Sequence, residues 1–110
     1  METKVKYPRT NHLEWSLGRS VDDLVIPSLD NFHGKEIVVT EKMDGENTTM
    51  YKDYVHARSL AYEPHISRNW VKTMWGKVAH EIPEDWRVCG ENLWAEHSIP
   101  YKNLDRKSVV

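Results

Sequence analysis

Hydrophobic and polar positions change rhythm several times along this chain. The run Glu36-Ile37-Val38-Val39-Thr40 is rich in β-branched residues, which suit a pleated surface, and it predicts a strand. It leads into Glu41-Lys42-Met43-Asp44-Gly45, where Asp-Gly predicts a tight turn because glycine accepts a positive φ. Thr48-Thr49-Met50-Tyr51 and Tyr54-Val55-His56-Ala57-Arg58 then read as the strands of a hairpin joined through Lys52-Asp53. From Ser67 to His80 the period lengthens. Ile66, Trp70, Val71, Met74, Trp75, Val78 and Ala79 recur at spacings of three, four and five, the apolar stripe of an amphipathic helix. Ser67 is its expected N-cap, and Pro83 stops the element beyond its end. Trp86-Arg87-Val88-Cys89 reads as a further strand leading into Gly90-Glu91. Upstream, residues 1–20 are polar and irregular, broken by Pro8 and Gly18. Asp22–Ile26 fits a short helix or strand ended by Pro27. Strand, hairpin, helix and strand in that order predict an α+β domain.

Composition narrows the classes. A chain of 110 residues is one domain at most, able to bury roughly 60–65% of its unfolded surface. With 39% hydrophobic and 29% charged residues it reads as globular rather than disordered. Fifteen basic residues against seventeen acidic ones, a net charge of −2, exclude a protein that coats nucleic acid through bulk positive charge. An enzyme that binds nucleic acid through a local patch stays open. Cys89 is the single cysteine, so no intrachain disulfide forms, and it reads as a small buried hydrophobe. No apolar run approaches membrane-spanning length, and the start METKVKYPRT lacks a signal-peptide core, so a reducing, cytoplasmic setting without membrane is expected. The histidines, His12, His33, His56, His65, His80 and His97, match no zinc spacing and read as solvated or structural; no metal ligand is assigned. Oligomeric state leaves no mark on the sequence.

The candidate chemistry centres on Lys42-Met43-Asp44-Gly45. A lysine beside a tight turn can be held rigidly while its amine faces a pocket. An amine attacks phosphorus only when unprotonated, which calls for burial or neighbouring positive charge; a divalent ion on a triphosphate supplies such charge. The tetrad alone fits an exposed lysine beside a hairpin turn equally well.

The surroundings are more specific. The stretch from Val39 to Thr49 resembles motif I of the covalent nucleotidyltransferases, which include RNA ligases, DNA ligases and capping enzymes. Glu41 before the lysine and Asn47 five residues after it look more like phage-type RNA ligases. His56-Ala57-Arg58-Ser59 is similar to motif Ia, and the stretch from Val88 to Ile99 resembles motif III. Lys6-Tyr7-Pro8-Arg9-Thr10 with His12-Leu13 also looks like the opening of small RNA-ligase-family proteins, so the resemblance covers nearly all of residues 5–104.

That resemblance implies an incomplete nucleotidyltransferase domain, an ATP-grasp-like ligase adenylation domain with antiparallel strands and one amphipathic helix near 67–80. Its cofactors would be ATP with Mg2+ or Mn2+, and its partner a nucleic acid, RNA more than DNA. Lys42 would form the lysyl-AMP phosphoramidate, Glu41 would recognise adenine, and Glu91 would accept from the ribose hydroxyls. Arg58 would contact the ribose or a phosphate, Asn47 would sit near the phosphates or the metal's water shell, and Asp44 and Gly45 would shape the turn. Without the resemblance, Glu91 reads as a surface carboxylate and Arg58 as a hairpin ion-pair partner. Arg9 and His12 either reach phosphate or anchor the opening loop. Trp70, Met74 and Trp75 read as core. The alternatives in function are a nucleotide- or RNA-binding module without complete catalysis, or another covalent nucleotidyltransferase.

The family's motif IIIa aromatic, motif IV carboxylate and motif V lysines have no counterpart here, which implies that residues 1–104 are the N-terminal portion of the domain. Asp105-Arg106-Lys107-Ser108-Val109-Val110 with a stop is what GATCGGAAGAGCGTCGTGTAG encodes, a sequence that looks like a sequencing-library adapter. Residues 105–110 are therefore expected to be a non-native tail, the alternatives being a genuine small protein or a deliberate fragment.

Overall fold

Alternation along Glu46–Met50 (β1) organises the sheet. In the computed structural model, which describes residues 4–17, 20–60, 65–97 and 99–102 with the backbone of 108–109, Met50 shares a core cluster with Val55, Val71 and Ile82. With a period of two, Thr48 and Glu46 share the face of Met50, while Asn47 and Thr49 face the other way. Val55–His56 (β2) returns as the expected hairpin, with Thr49 opposite His56 and Met50 opposite Val55. The turn between them is closed by the Tyr51 N–H on the Tyr54 carbonyl at 2.7 Å. β2 is shorter than the predicted Tyr54–Arg58. The reason is local: the Ala57 carbonyl is taken by Nδ1 of the His56 ring.

On the other side of β1 runs Val88–Asn92 (β3), antiparallel, in the register Glu46 to Asn92, Asn47 to Glu91, Thr48 to Gly90, Thr49 to Cys89 and Met50 to Val88. Ser108–Val109 (β4), within the expected non-native tail, pairs by backbone with Glu91 and Asn92, giving the order β2-β1-β3-β4. β3 starts later than predicted, and Trp86 lies outside it, exposed.

The helix Ile66–Val78 (α1) continues through a 3-10 turn at Ala79–Glu81, matching the predicted span near 67–80. Its cap differs from the expectation. His65 occupies the N-cap, and its Nδ1 accepts the Ser67 N–H at 3.2 Å and the Ser67 hydroxyl at 2.7 Å. An imidazole nitrogen does the work usually given to a Ser or Asp oxygen, so Ser67 sits inside the helix, buried. The stripe packs its Trp70, Val71, Met74 and Trp75 against the core. Ile66, expected on the stripe, lies exposed at the helix start, one turn before the packed positions begin.

One predicted strand does not form. Residues 36–40 adopt neither strand nor helix, and Val38 and Val39 are 86% and 85% exposed. β-Branched residues favour strands when packed against paired neighbours, and no strand pairs with this run among the described residues.

The fold divides into two units, residues 1–7 with 42–110, and residues 8–41. Within the second, Val25 makes an isolated parallel bridge to His12, which is all that forms of the short element expected at Asp22–Ile26. Asp23 holds this unit together. It accepts the Ser20 N–H at 2.6 Å and approaches Arg9 at 3.4 Å and His12 at 3.5 Å. The Ser20 hydrogen bond, ahead of the His12 and Arg9 charges, holds its carboxyl below the usual range. Arg9 and His12 thus follow the anchoring reading of the opening loop.

Trp75 ties α1 to the hairpin by donating its Nε1–H to the buried Tyr51 carbonyl at 2.7 Å. Trp75→Phe leaves that carbonyl without its donor and is expected to cost about 1–3 kcal/mol in urea unfolding. An unchanged midpoint contradicts this role.

Candidate active site

Two chain segments meet at Gly45. A Cβ there would collide with the Asn92 carbonyl oxygen and lie 2.7 Å from Leu93 Cδ2 and 3.0 Å from the Asn92 carbonyl carbon. The expected reason for this glycine, a positive φ in a tight turn, is therefore not the operative one: among the described glycines only Gly34 has a positive φ, at 71°. Gly45 is required by close backbone approach instead.

Around it the segment before β1 is stitched to β3 and to the stretch after it. The Gly45 N–H donates to Glu91 Oε1 at 3.3 Å. The Asp44 N–H donates to the Tyr101 hydroxyl at 2.7 Å, and Asp44 Oδ2 accepts the Ile99 N–H at 3.1 Å. Asp44 does more than shape a turn, since its carboxylate fixes a segment more than fifty residues away. Lys42 leaves this junction two residues earlier and is exposed.

Asn47 and Glu91 are directly opposed in the register, so they share one face of the sheet. Asn47 Oδ1 is buried and makes no hydrogen bond among the described residues, an uncommon condition for a polar atom. Thr49 lies on the same face, fully buried, with its hydroxyl directed at Cys89 Sγ, 3.7 Å away. Cys89 is half-buried rather than enclosed. Arg58 stands exposed just past the end of β2. Glu41 is exposed and belongs to the unit of residues 8–41. The structure thus joins Asp44, Gly45, Asn47 and Glu91 through backbone and register, whereas Lys42 and Arg58 stand exposed.

The helix-facing side carries residues that the sequence reading did not single out. Arg68 grips Glu46 with two hydrogen bonds, Nε to Oε1 at 2.8 Å and a terminal nitrogen to Oε2 at 2.7 Å. This fork holds the Glu46 carboxyl below the usual glutamate range against the opposing effect of burial, with smaller help from His65 and His97. Asn92, buried, donates to the Ser67 carbonyl at 3.2 Å and accepts the Trp94 N–H at 3.1 Å, fastening the end of β3 to the start of α1. Glu46, His65, Arg68, Asn92, Glu96 and His97 line a cleft of about 310 Å³ on this side. A pair separated by 22 residues follows no sequence period, so only the folded sheet reveals it.

No group of three His, Cys, Asp or Glu side chains among the described residues is placed to hold a metal ion. No helix among them is long and apolar enough to cross a membrane. A family model described as RNA ligase matches residues 35–110. No curated protein matches the chain, and no solved structure does.

Two outcomes follow from this geometry. Gly45→Ala is expected to destabilise the protein by about 1–3 kcal/mol through overpacking. The same change at Gly76, in α1 with nothing within 4 Å of a new Cβ, is expected to stabilise it by about 0.5–1 kcal/mol. Equal effects in urea unfolding contradict the close approach. The Glu46–Arg68 fork contributes in full above the ordinary glutamate pKa of 4.5 and loses its contribution as pH falls through the lower folded value. Glu46→Gln should therefore lower stability near pH 7 by about 1–3 kcal/mol, and the difference should shrink as pH falls below 4.5; a gap that stays constant or widens on acidification contradicts the pairing.

Proposed function

The chain belongs to the RNA ligase family, and we propose that it carries the nucleotide-binding front part of an adenylation domain with Lys42 as its nucleophile. In this reading Lys42 Nζ attacks the α-phosphorus of ATP. The bond from that phosphorus to the bridging oxygen breaks, pyrophosphate leaves, the amine gives up a proton, and AMP remains on nitrogen. In the full-length enzyme AMP then passes to a nucleic-acid 5′-phosphate, and a 3′-hydroxyl displaces it to join the strands, RNA more than DNA.

The observation that carries this reading is the junction at Gly45. The residues following Lys42 are tied to β3 by the Gly45–Glu91 hydrogen bond, with Asn47 opposite Glu91 on one sheet face. An acceptor carboxylate suits ribose hydroxyls, and Asn47 Oδ1, buried and unpartnered among the described residues, offers a second polar group beside it. Glu41 takes the adenine edge and Arg58 a ribose or phosphate oxygen, where its fork of donors fits. Asp44 and Gly45 hold the junction itself. Magnesium or manganese riding on the phosphates takes few protein ligands. The described residues offer no group of three His, Cys, Asp or Glu side chains to hold it. A reducing, cytoplasmic setting is part of the same reading.

The exposure of Lys42 and Arg58 favours a second reading, a nucleotide- or RNA-binding module without complete catalysis.

Incubation with α-labelled ATP and Mg2+ or Mn2+, followed by denaturation, separates the two. Retained label on the wild type and none on Lys42→Ala is expected. Glu91→Ala should lower labelling by roughly tenfold to a hundredfold, the worth of one charge-assisted hydrogen bond. Nucleotide binding without retained label overturns the enzymatic reading in favour of the module.

A further inference from the structure

His56 is 3% exposed and bonded through both ring nitrogens, and the reaction above makes no use of it. Its Nδ1 meets the carbonyl of Ala57, and its Nε2 lies 3.2 Å from the Tyr51 hydroxyl. The tautomer follows from the partners. A carbonyl only accepts, so Nδ1 carries the hydrogen, Nε2 of the neutral ring is bare, and the Tyr51 hydroxyl donates to it. The Tyr51 oxygen in turn accepts the Val5 N–H at 3.0 Å. The Val5 carbonyl is occupied by Arg87 at 2.9 Å. The Tyr51 hydroxyl also lies 3.4 Å from that carbonyl, a second acceptor that is the farther of the two and already taken by Arg87; with the hydroxyl on Nε2, the bonds run from the Val5 N–H through Tyr51 and His56 to the peptide that joins Ala57 to Arg58.

The chain is anchored at its origin as well. Lys4 Nζ pairs with Asp53 at 2.8 Å and sits 4.6 Å from the centre of the Tyr51 ring. The rings of Tyr51 and Tyr54 lie 5.5 and 6.0 Å from the His56 ring, which limits its rotation. Arg58 itself stands exposed beyond the end of β2, outside the sheet ladder formed by the described residues. The His56 bond to the preceding carbonyl acts directly on that peptide plane.

We propose that His56 is a positioning residue for Arg58: held by Tyr51 and Val5, it sets the Ala57–Arg58 peptide and so aims the guanidinium at the nucleotide. The proposal rests on the reading of Arg58 as a nucleotide contact.

The test uses the full chain with His56→Leu, which keeps bulk and loses both bonds, and His56→Asn, whose amide can replace the Nδ1 donor. Three quantities are read: the imidazole nitrogen resonances of the wild type, the backbone amide resonance of Arg58, and the dissociation constant for ATP by calorimetry. The expected results are a Nδ1–H tautomer, and an Arg58 amide displaced in His56→Leu and restored in His56→Asn. ATP affinity should fall on the order of tenfold in His56→Leu, with no further loss when Arg58→Ala is already present, because the two residues act as one unit. A Nε2–H tautomer overturns the proposal. So does an equal loss with and without Arg58, or an Arg58 amide indifferent to His56. If Arg58→Ala leaves ATP affinity unchanged, the nucleotide role of Arg58 falls, and the Arg58 amide in His56→Leu and His56→Asn still decides the positioning. Should His56→Leu fail to fold, Tyr51→Phe cuts the same chain one link earlier and must displace the Arg58 amide too.

Discussion

Where Gly45 passes the Asn92 carbonyl, the two backbones are closer than a residue with a Cβ permits. That approach sets the start of β1 against the end of β3, and the register from Glu46–Asn92 to Met50–Val88 runs on from it. The Glu91 carboxylate then reaches the Gly45 N–H, and Asp44 is placed to take the Ile99 amide. The chain leading out from Lys42 thus inherits its direction from a steric constraint at a glycine, reinforced by hydrogen bonds that are each worth only about 0.5–1.5 kcal/mol.

Because a strand alternates, the same pairing sorts side chains onto two faces with different work. Glu46, Thr48 and Met50 meet α1, where Arg68 and Val71 receive them. Polar groups are paired there, in a half-buried ion pair and an Asn92 bonded through both its amide nitrogen and its amide oxygen. Asn47 and Glu91 share the other face, where one buried acceptor has no partner among the described residues. An unpaired buried acceptor is uncommon, and the nucleotide role proposed for this face would supply its partner.

The hairpin through Lys52-Asp53 and the helix near 67–80 were legible because both rest on short-range pattern: a turn between alternating runs, and an apolar stripe at helical spacing. The cap was misplaced by two residues because a histidine ring nitrogen can replace the usual oxygen, which composition does not signal. The run 36–40 has strand propensity without a paired neighbour, and propensity alone does not make a strand. Gly45 stood out in the sequence for the wrong reason, since a close approach depends on Asn92, 47 positions later. The Glu46–Arg68 fork and the His56 chain lay outside reach altogether, being products of register. Of the candidate site, Asp44, Gly45, Asn47 and Glu91 come together in the fold, whereas the roles of Lys42, Glu41 and Arg58 rest on family resemblance.

The register of β1 against β3 is the claim on which the rest depends, and the chain contains its own probe. Cys89 is the only cysteine and stands opposite Thr49, at a separation of about 4.5–5.5 Å between α-carbons in an antiparallel pair, within disulfide range. Oxidation of Thr49→Cys should give an intramolecular disulfide, and Asn47→Cys, diagonal to Cys89 by two residues, should give little. A bond formed readily by Asn47→Cys and not by Thr49→Cys contradicts the register, and with it the placement of Asn47 beside Glu91.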